Sequence, residues 1–220
     1  MASIKKIYPN DFLKVFIHTW KISSDEQYIL DSFSGTKTNG SFGTVDLNIL
    51  SEYNAENILI ENYNIKRKKF IALRESFGEV SGRTDIGIIS MYYSIFKSNE
   101  LKRKYERKNK ILFDKVIRMR FDSDFCDKEL ILDPDINSIQ VPLGKDWAGM
   151  NDQFALGPSK QMDVYSNLYN KMYMVQIACG DHNPELLMRT HLGQNQSNIS
   201  VQRFDFQVCI NGNESSTDPS

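Results

Sequence analysis

Long apolar runs are missing from this chain of 220 residues. A membrane-spanning helix needs roughly 18 consecutive apolar residues, and the most apolar run here, residues 86–96, is shorter and contains Ser90 and Ser94. The N-terminus also lacks the apolar core of a signal peptide. We therefore expect a cytoplasmic protein without a membrane span.

Cysteine and excess positive charge are also scarce. Cys126, Cys179 and Cys209 are scattered and odd in number, which argues against a disulfide framework or a cysteine-based zinc site and fits a reducing compartment. The formal net charge of −1 lacks the basic excess of a general nucleic-acid-binding protein. The Gly-rich residues 34–44 lack the Gly-Lys-Ser/Thr ending of a P-loop, so they predict a surface loop.

The residues that are present describe an ordinary globular domain, with 40% hydrophobic and 25% charged residues. Short apolar strands alternate with helical patterns, which is typical of α/β proteins. We predict one α/β domain over residues 1–210, with a central, mostly parallel sheet flanked by helices, and a disordered tail over residues 211–220. The predicted strands lie near residues 12–20, 58–60, 115–121, 138–142, 154–158 and 201–210.

Three stretches have helical spacing. The clearest starts at Thr84 or Asp85, and its densely charged residues 102–108 are expected to form a solvated end. Ser159 is expected to cap a second helix, and Pro184 starts a third that ends at Gly193. The apolar stripes of the first two helices consist of Ile88, Met91, Tyr92 and Ile95, and of Met162, Tyr165, Leu168, Tyr169 and Met172.

Residues 116–125 carry the clearest chemical signal. Arg118 and Arg120 alternate with apolar residues, so a strand would direct both to one face, where a buried arginine needs a carboxylate or phosphate partner. The strand would deliver Asp122 and Asp124 at its carboxyl end, where open α/β sheets bind ligands. Two carboxylates at this spacing can share a divalent cation, although Asp-Ser-Asp is also ordinary turn chemistry.

Five segments, in order along the chain, resemble a group of viral and bacterial glycosyltransferase-like proteins with the GT-A fold. They are residues 15–20 (VFIHTW), 90–102 (SMYYSIFKSNELK), 113–122 (FDKVIRMRFD), 151–157 (NDQFALG) and 183–187 (NPELL). The resemblance implies a GT-A-like, Rossmann-like domain that binds a nucleotide sugar, such as a UDP- or GDP-sugar, at the carboxyl edge of its sheet. Its implied activity is transfer of that sugar to a glycan or polysaccharide acceptor.

The resemblance also implies roles for individual residues. Asp122 and Asp124 would hold Mn²⁺ or Mg²⁺ at the donor diphosphate, with His191 completing the metal shell. Asp152, followed by Gln153, would lie near the sugar and either orient the acceptor hydroxyl or act as its general base. The implied donor-binding residues are Arg118, Arg120, Ser90 and Ser94.

Other interpretations compete with this one. Asp152 could cap the turn before Phe154, and His191 could interact with the dipole of a helix C-terminus. Only about ten residues precede the first predicted strand, so we expect the first nucleotide-binding strand of the family to be shortened or missing. The alternatives are a haloacid-dehalogenase-like phosphohydrolase, which also places Asp-x-Asp after a strand, and a non-catalytic domain that binds a glycan or a partner.

Overall fold

The computed structural model describes residues 13–21, 57–77, 86–120, 123–125, 138–194, 199–204 and 208–210. The strands are β1 Phe16–Lys21, β2 Asn57–Asn62, β3 Val116–Met119, β4 Ser123–Phe125, β5 Ser138–Pro142, β6 Phe154–Gly157, β7 Ser200–Phe204 and β8 Val208–Ile210. The helices are α1 Tyr63–Ser76, α2 Ile86–Asn109, α3 Ser159–Ser166, α4 Leu168–Cys179 and α5 Pro184–Gly193. The predicted loop at residues 34–44, the predicted tail and Asp122 lie outside the described residues.

The largest sheet has the strand order β3-β6-β5-β7 and is mixed. Strand β6 runs antiparallel to both β3 and β5, whereas β5 and β7 are parallel. The chain is therefore of mixed α/β class, as predicted, but this sheet is not mostly parallel. The antiparallel strands β5 and β6 are joined by a loop, residues 143–153, whereas helices α3 to α5 lie in the chain between β5 and its parallel partner β7.

A separate parallel pair, β1 and β2, lies against the long helix α2. Helix α2 also packs on α1, α3 and α4. Its apolar face supplies several of the fully buried side chains of the core, among them Ile89 and Tyr92. Helix α2 is therefore the element that joins the β1–β2 pair to the remaining helices.

The charged end of α2 is only partly solvated: Arg103, Lys104, Arg107 and Lys108 are exposed, as predicted, but Lys102 and Glu106 are buried. Lys102 and Glu106 are 2% and 4% exposed, and their side chains are 3.3 Å apart. The Lys102 ammonium also donates to Ser159 Oγ at 2.5 Å and to Asp163 Oδ1 at 2.9 Å. These charges are buried because residues of α3, more than fifty positions away in sequence, satisfy them.

Ser159 has a role other than the predicted cap. Pro158 occupies the N-cap position of α3 without a side-chain cap, and the Ser159 hydroxyl instead donates to Glu106 Oε1 at 2.5 Å. The predicted single helix is divided at Asn167 into α3 and α4. The prediction for α5 is confirmed, since that helix starts at Pro184 and ends at Gly193.

Candidate functional site

Pairing of β3 with β6 brings Arg118 to Asp152. The register aligns Arg118 with Ala155 and Met119 with Phe154, so Asp152 lies just before the start of β6 beside the end of β3. Arg118 Nη1 donates a hydrogen bond to the backbone carbonyl oxygen of Asp152. Two residues that the sequence implicated separately are therefore in direct contact.

Asp152 does not cap the turn before Phe154. That role belongs to Asn151, whose Oδ1 accepts a hydrogen bond from the backbone N–H of Gln153 at 2.9 Å. Asp152 is 7% exposed, and its Oδ2 is buried without a hydrogen-bond partner in the described part of the chain, as is Oε1 of Gln153. A buried acceptor in this state costs about 1–3 kcal/mol, so both oxygens are available to a donor.

Two buried tyrosines on neighbouring helices face this charge. Burial raises the pKa of Tyr92 well above its ordinary value, and the negative charge of Asp152 raises it further. Burial likewise raises the pKa of Tyr165 to about 12, with Arg118 opposing and Asp152 reinforcing the change. The Tyr92 hydroxyl donates to the carbonyl oxygen of Pro184 at 2.8 Å, whereas the Tyr165 hydroxyl has no partner among the described residues.

Glu185, in the first turn of α5, completes the site. Its side chain is half-buried, and burial raises the pKa of its carboxyl group to about 7. A hydrogen bond from its own backbone N–H opposes this rise, while the charges of Asp152 and Asp146 add to it. Glu185 can therefore gain or lose a proton near neutral pH. We call these six residues the Asp152 cluster: Tyr92, Arg118, Asp152, Gln153, Tyr165 and Glu185.

Two of the three predicted metal ligands, Asp124 and His191, lie in described elements, β4 and α5. Strand β3 ends at Met119, and Asp124 lies in the separate strand β4, opposite Cys209 of β8. Asp122 lies outside the described residues. Within the described ranges, the structure contains no group of three or more His, Cys, Asp or Glu side chains that could hold a metal ion.

His191 lies between α5 and α3. Its ring is 2% exposed, and its Nε2 donates to the carbonyl oxygen of Val164 at 2.8 Å. Burial lowers the pKa of the imidazole, the bond to Val164 opposes that change, and the charge of Lys171 adds to it. These contacts pack His191 between the two helices and engage its Nε2 with a backbone carbonyl.

The remaining predicted donor-binding residues lie on α2 and β3. Ser90 is buried in α2, and the Ser94 hydroxyl donates to the Ser90 carbonyl oxygen at 3.0 Å, within the same helix. Arg120 is half-buried immediately after β3. Of the four, Arg118 is the residue that contacts Asp152.

Sequence reasoning missed the tyrosines of the Asp152 cluster. Tyr92 and Tyr165 were assigned to apolar stripes, and both do pack in the core. The signal that could have identified them is the hydroxyl group, since a buried tyrosine usually needs a hydrogen-bond partner. Glu185 was not predicted as a site residue, because an acid in the first turn of a helix is already favoured by the helix dipole.

A second polar cluster lies on the β1–β2 pair. The Nε2 of His18 is 3.1 Å from Glu61 Oε2, which also accepts a hydrogen bond from the Tyr93 hydroxyl at 2.8 Å. Lys66 pairs with the other oxygen of Glu61 at 2.7 Å. Burial lowers the pKa of His18 to about 4, so this imidazole is neutral and its cluster is closed by aromatic rings, including Trp20 at a centroid distance of 4.6 Å.

Comparisons with known proteins leave the family open. No protein-family model matches the chain. Searches of curated proteins and of solved structures give no significant match. Among the described residues, no helix is both long and apolar enough to cross a membrane.

Proposed function

We propose that the protein is a metal-dependent glycosyltransferase that moves a sugar from a nucleotide-sugar donor to a glycan or polysaccharide acceptor. The five segments described above support the proposal, and residues from four of them belong to the Asp152 cluster. A GT-A-like fold and a cytoplasmic location are parts of the same proposal.

The observation that carries the proposal is the state of Asp152. Its carboxylate is buried beside Arg118 and two tyrosines, yet one oxygen has no donor in the described structure. Most buried polar side-chain atoms in proteins have a hydrogen-bond partner, so each exception requires an explanation. An unpartnered carboxylate oxygen next to a second acceptor, Gln153 Oε1, supports binding of a ligand that supplies hydroxyl donors, as a sugar does.

Asp152 is suited to the role of general base in glycosyl transfer. The acceptor hydroxyl oxygen forms a bond to the anomeric carbon, and the bond from that carbon to the diphosphate oxygen breaks. The hydroxyl proton passes to the Asp152 carboxylate, and the nucleoside diphosphate leaves with the electron pair of the broken bond. Glu185 has a pKa of about 7, which is suited to exchanging that proton with solvent near neutral pH.

The cation is assigned to Asp122 and Asp124. When bound, Mn²⁺ or Mg²⁺ would neutralise charge on the departing diphosphate. Two carboxylates are a chemically suitable donor set for either ion. His191 does not fit a metal shell through Nε2, because that nitrogen donates to Val164, and the proposal leaves it out.

Calorimetry with UDP and GDP, each with and without Mn²⁺, tests donor binding. We expect binding that requires the metal and is lost in Asp122→Ala and Asp124→Ala. Absence of nucleotide binding in every condition would contradict a transferase and favour a non-catalytic domain. Release of phosphate from simple phosphate esters would favour the phosphohydrolase.

The variant Asp152→Asn separates binding from chemistry. It keeps the size of the side chain and removes the base, so nucleotide binding should persist while sugar transfer falls by 10²-fold or more, roughly the contribution of a general base. Asp114→Asn is a matched control, because Asp114 is exposed near the start of β3. Unchanged transfer in Asp152→Asn would refute its catalytic role.

A further inference from the structure

The turn at residues 146–149 adopts a conformation that its sequence disfavours. The backbone N–H of Gly149 donates to the carbonyl oxygen of Asp146 at 2.6 Å, and the two central residues have positive φ, +41° at Trp147 and +67° at Ala148. Positive φ at both central positions is the pattern of a type I′ turn, which normally contains Asn and Gly. A bulky aromatic residue in this conformation is strained.

Surrounding hydrogen bonds hold the turn in place. The Asp146 carboxylate accepts from Arg203 at 2.6 Å and from the backbone N–H of Asn151 at 3.0 Å. Arg203 also donates to the carbonyl oxygen of Gly149 at 3.2 Å, and Arg189 donates to that of Ala148 at 3.1 Å. Strained backbone persists where the surroundings over-determine it, and such strain concentrates at ligand-binding and active sites.

The turn presents the Trp147 side chain to solvent. Trp147 is 70% exposed, more than any other large hydrophobic side chain in the described residues. Burial of the indole therefore does not compensate for the strained backbone. Lys145 and Asp146 precede the indole in sequence, and Arg189 and Arg203 donate hydrogen bonds to the backbone of its turn, so the turn carries charged groups.

The turn is anchored beside the Asp152 cluster. Gly149 packs directly on the backbone of Glu185, and the backbone N–H of Met150 donates to the Glu185 carbonyl oxygen at 3.0 Å. The charge of Asp146 is also felt by the Glu185 carboxyl group, whose pKa it raises. The turn that carries the exposed Trp147 side chain is thus fixed against the backbone of Glu185, a residue of the Asp152 cluster.

We propose that Trp147 binds the acceptor, with its indole face packed against a pyranose ring of the glycan. A pyranose presents C–H groups on its faces and hydroxyl groups at its rim. It can therefore cover an aromatic face and keep its polar groups hydrated, which suits an exposed indole among charged neighbours. A nucleic-acid base would also stack on indole, and Lys145, Arg189 and Arg203 lie at or near the turn. The net charge of −1, however, lacks the basic excess of a general nucleic-acid-binding protein. This inference rests on the proposed transferase function.

Strain and binding can be separated by two glycine substitutions. Trp147→Gly and Ala148→Gly each place the residue that best tolerates positive φ in the turn. Both should raise Tm by about 2–4 °C. Only Trp147→Gly should lose glycan binding, so Ala148→Gly is the matched control. A fall in Tm for Trp147→Gly would instead show a structural role and overturn the inference.

Tryptophan fluorescence reports the contact directly, because Trp20 and Trp147 are the two tryptophans of the chain. Oligosaccharides containing glucose, galactose, mannose or N-acetylglucosamine are titrated, and acrylamide quenching is followed in the unmodified protein and in Trp147→Phe. We expect a bound glycan to shift emission to the blue and to reduce quenching at least twofold in the unmodified protein, whereas the Trp147→Phe signal, from Trp20 alone, stays constant.

The outcomes distinguish this inference from the proposed function. Metal-dependent nucleotide binding without protection of Trp147 by any of the oligosaccharides would overturn the acceptor role and leave the transferase standing. Glycan binding that persists in Trp147→Gly would also overturn it. Protection of Trp147 by a glycan in a protein that binds no nucleotide would support the contact and refute the transferase.

Discussion

Replacing His18 with Gln should remove a pH-dependent part of the stability. The His18 side chain is 0% exposed and lies 3.1 Å from Glu61. Burial lowers the pKa of the imidazole to about 4, although the hydrogen bond to Glu61 and its negative charge oppose this, while Lys97 and Lys66 lower the pKa further. Across roughly pH 4 to 6.5, the unfolded chain binds a proton at His18 that the folded protein does not.

The sign and size follow from this difference in proton binding. Stability is fully present above pH 6.5, the ordinary pKa, and is lost as the pH falls towards about 4. The complete change is on the order of 3 kcal/mol, since each pKa unit corresponds to about 1.4 kcal/mol. Hydrogen bonds from Lys66, Tyr93 and His18 lower the pKa of Glu61 despite its burial, so Glu61 stays ionised over most of this range.

Glu185 gives the opposite pH dependence of stability, so it is replaced by Gln in both of the variants that are compared. Its carboxyl pKa rises from 4.5 to about 7 on folding, so its contribution falls as the pH rises through that range. Urea unfolding should therefore be measured from about pH 4 to 7.5 in Glu185→Gln, with and without His18→Gln. Towards pH 4, the free energy of unfolding of Glu185→Gln should fall by about 3 kcal/mol more than that of the double variant. Burial also lowers the pKa of His191, but His191 contributes equally to both variants. Parallel curves would refute the reasoning.

Two further substitutions test the packing around the site and the buried charges of α2. Gly149→Ala would drive a Cβ into the backbone of Glu185 and should cost about 3 kcal/mol or more by urea unfolding. The control Gly180→Ala adds a Cβ in open space at a residue with positive φ and should cost about 1–2 kcal/mol. Equal losses of stability in the two variants would contradict this. Lys102→Met leaves Glu106 buried without its cation and should lower the free energy of unfolding by about 3 kcal/mol. The double variant Lys102→Met/Glu106→Leu removes both charges and should recover stability. A double variant less stable than Lys102→Met would show that Glu106 had not been left as an unpaired buried charge.

The parts of the fold that could be predicted depend on local signals. Helix α5 was predicted from Pro184 at its start and Gly193 at its end, and the structure adds the Asn183 side chain, which accepts a hydrogen bond from the Leu186 N–H at 3.2 Å. Most strands and α2 follow from short apolar runs and helical spacing, but β4 was not predicted, and the single strand predicted at residues 201–210 is two strands, β7 and β8, in different sheets. Pairing direction is not local, which is why the mixed order of the four-stranded sheet was missed.

The buried charges of α2 could not be predicted for a related reason. A run of lysines, arginines and glutamates has the composition of a solvated face. Lys102 is buried because Ser159 and Asp163, on another helix, reach its ammonium group. Only the tertiary fold brings these partners together, so the spacing of residues along the sequence does not indicate that Lys102 is buried. The meeting of Arg118 with Asp152 is a similar case, since it depends on the register of β3 with β6.

The segment from residue 144 to residue 153 is where the chain departs most from local preference. Of the non-glycine residues with positive φ in the described structure, three lie here and one, Lys110, follows the end of α2. Asp152 and Gln153 add two buried oxygens without partners. Glycine or asparagine would suit the turn better than Trp147, and an apolar side chain would suit the buried position better than Asp152. Departures from local sequence preference are expected at functional or strained sites. The strained backbone at Trp147 and the buried, unpartnered carboxylate oxygen of Asp152 lie within six residues, which favours a binding role for this segment over a purely structural one.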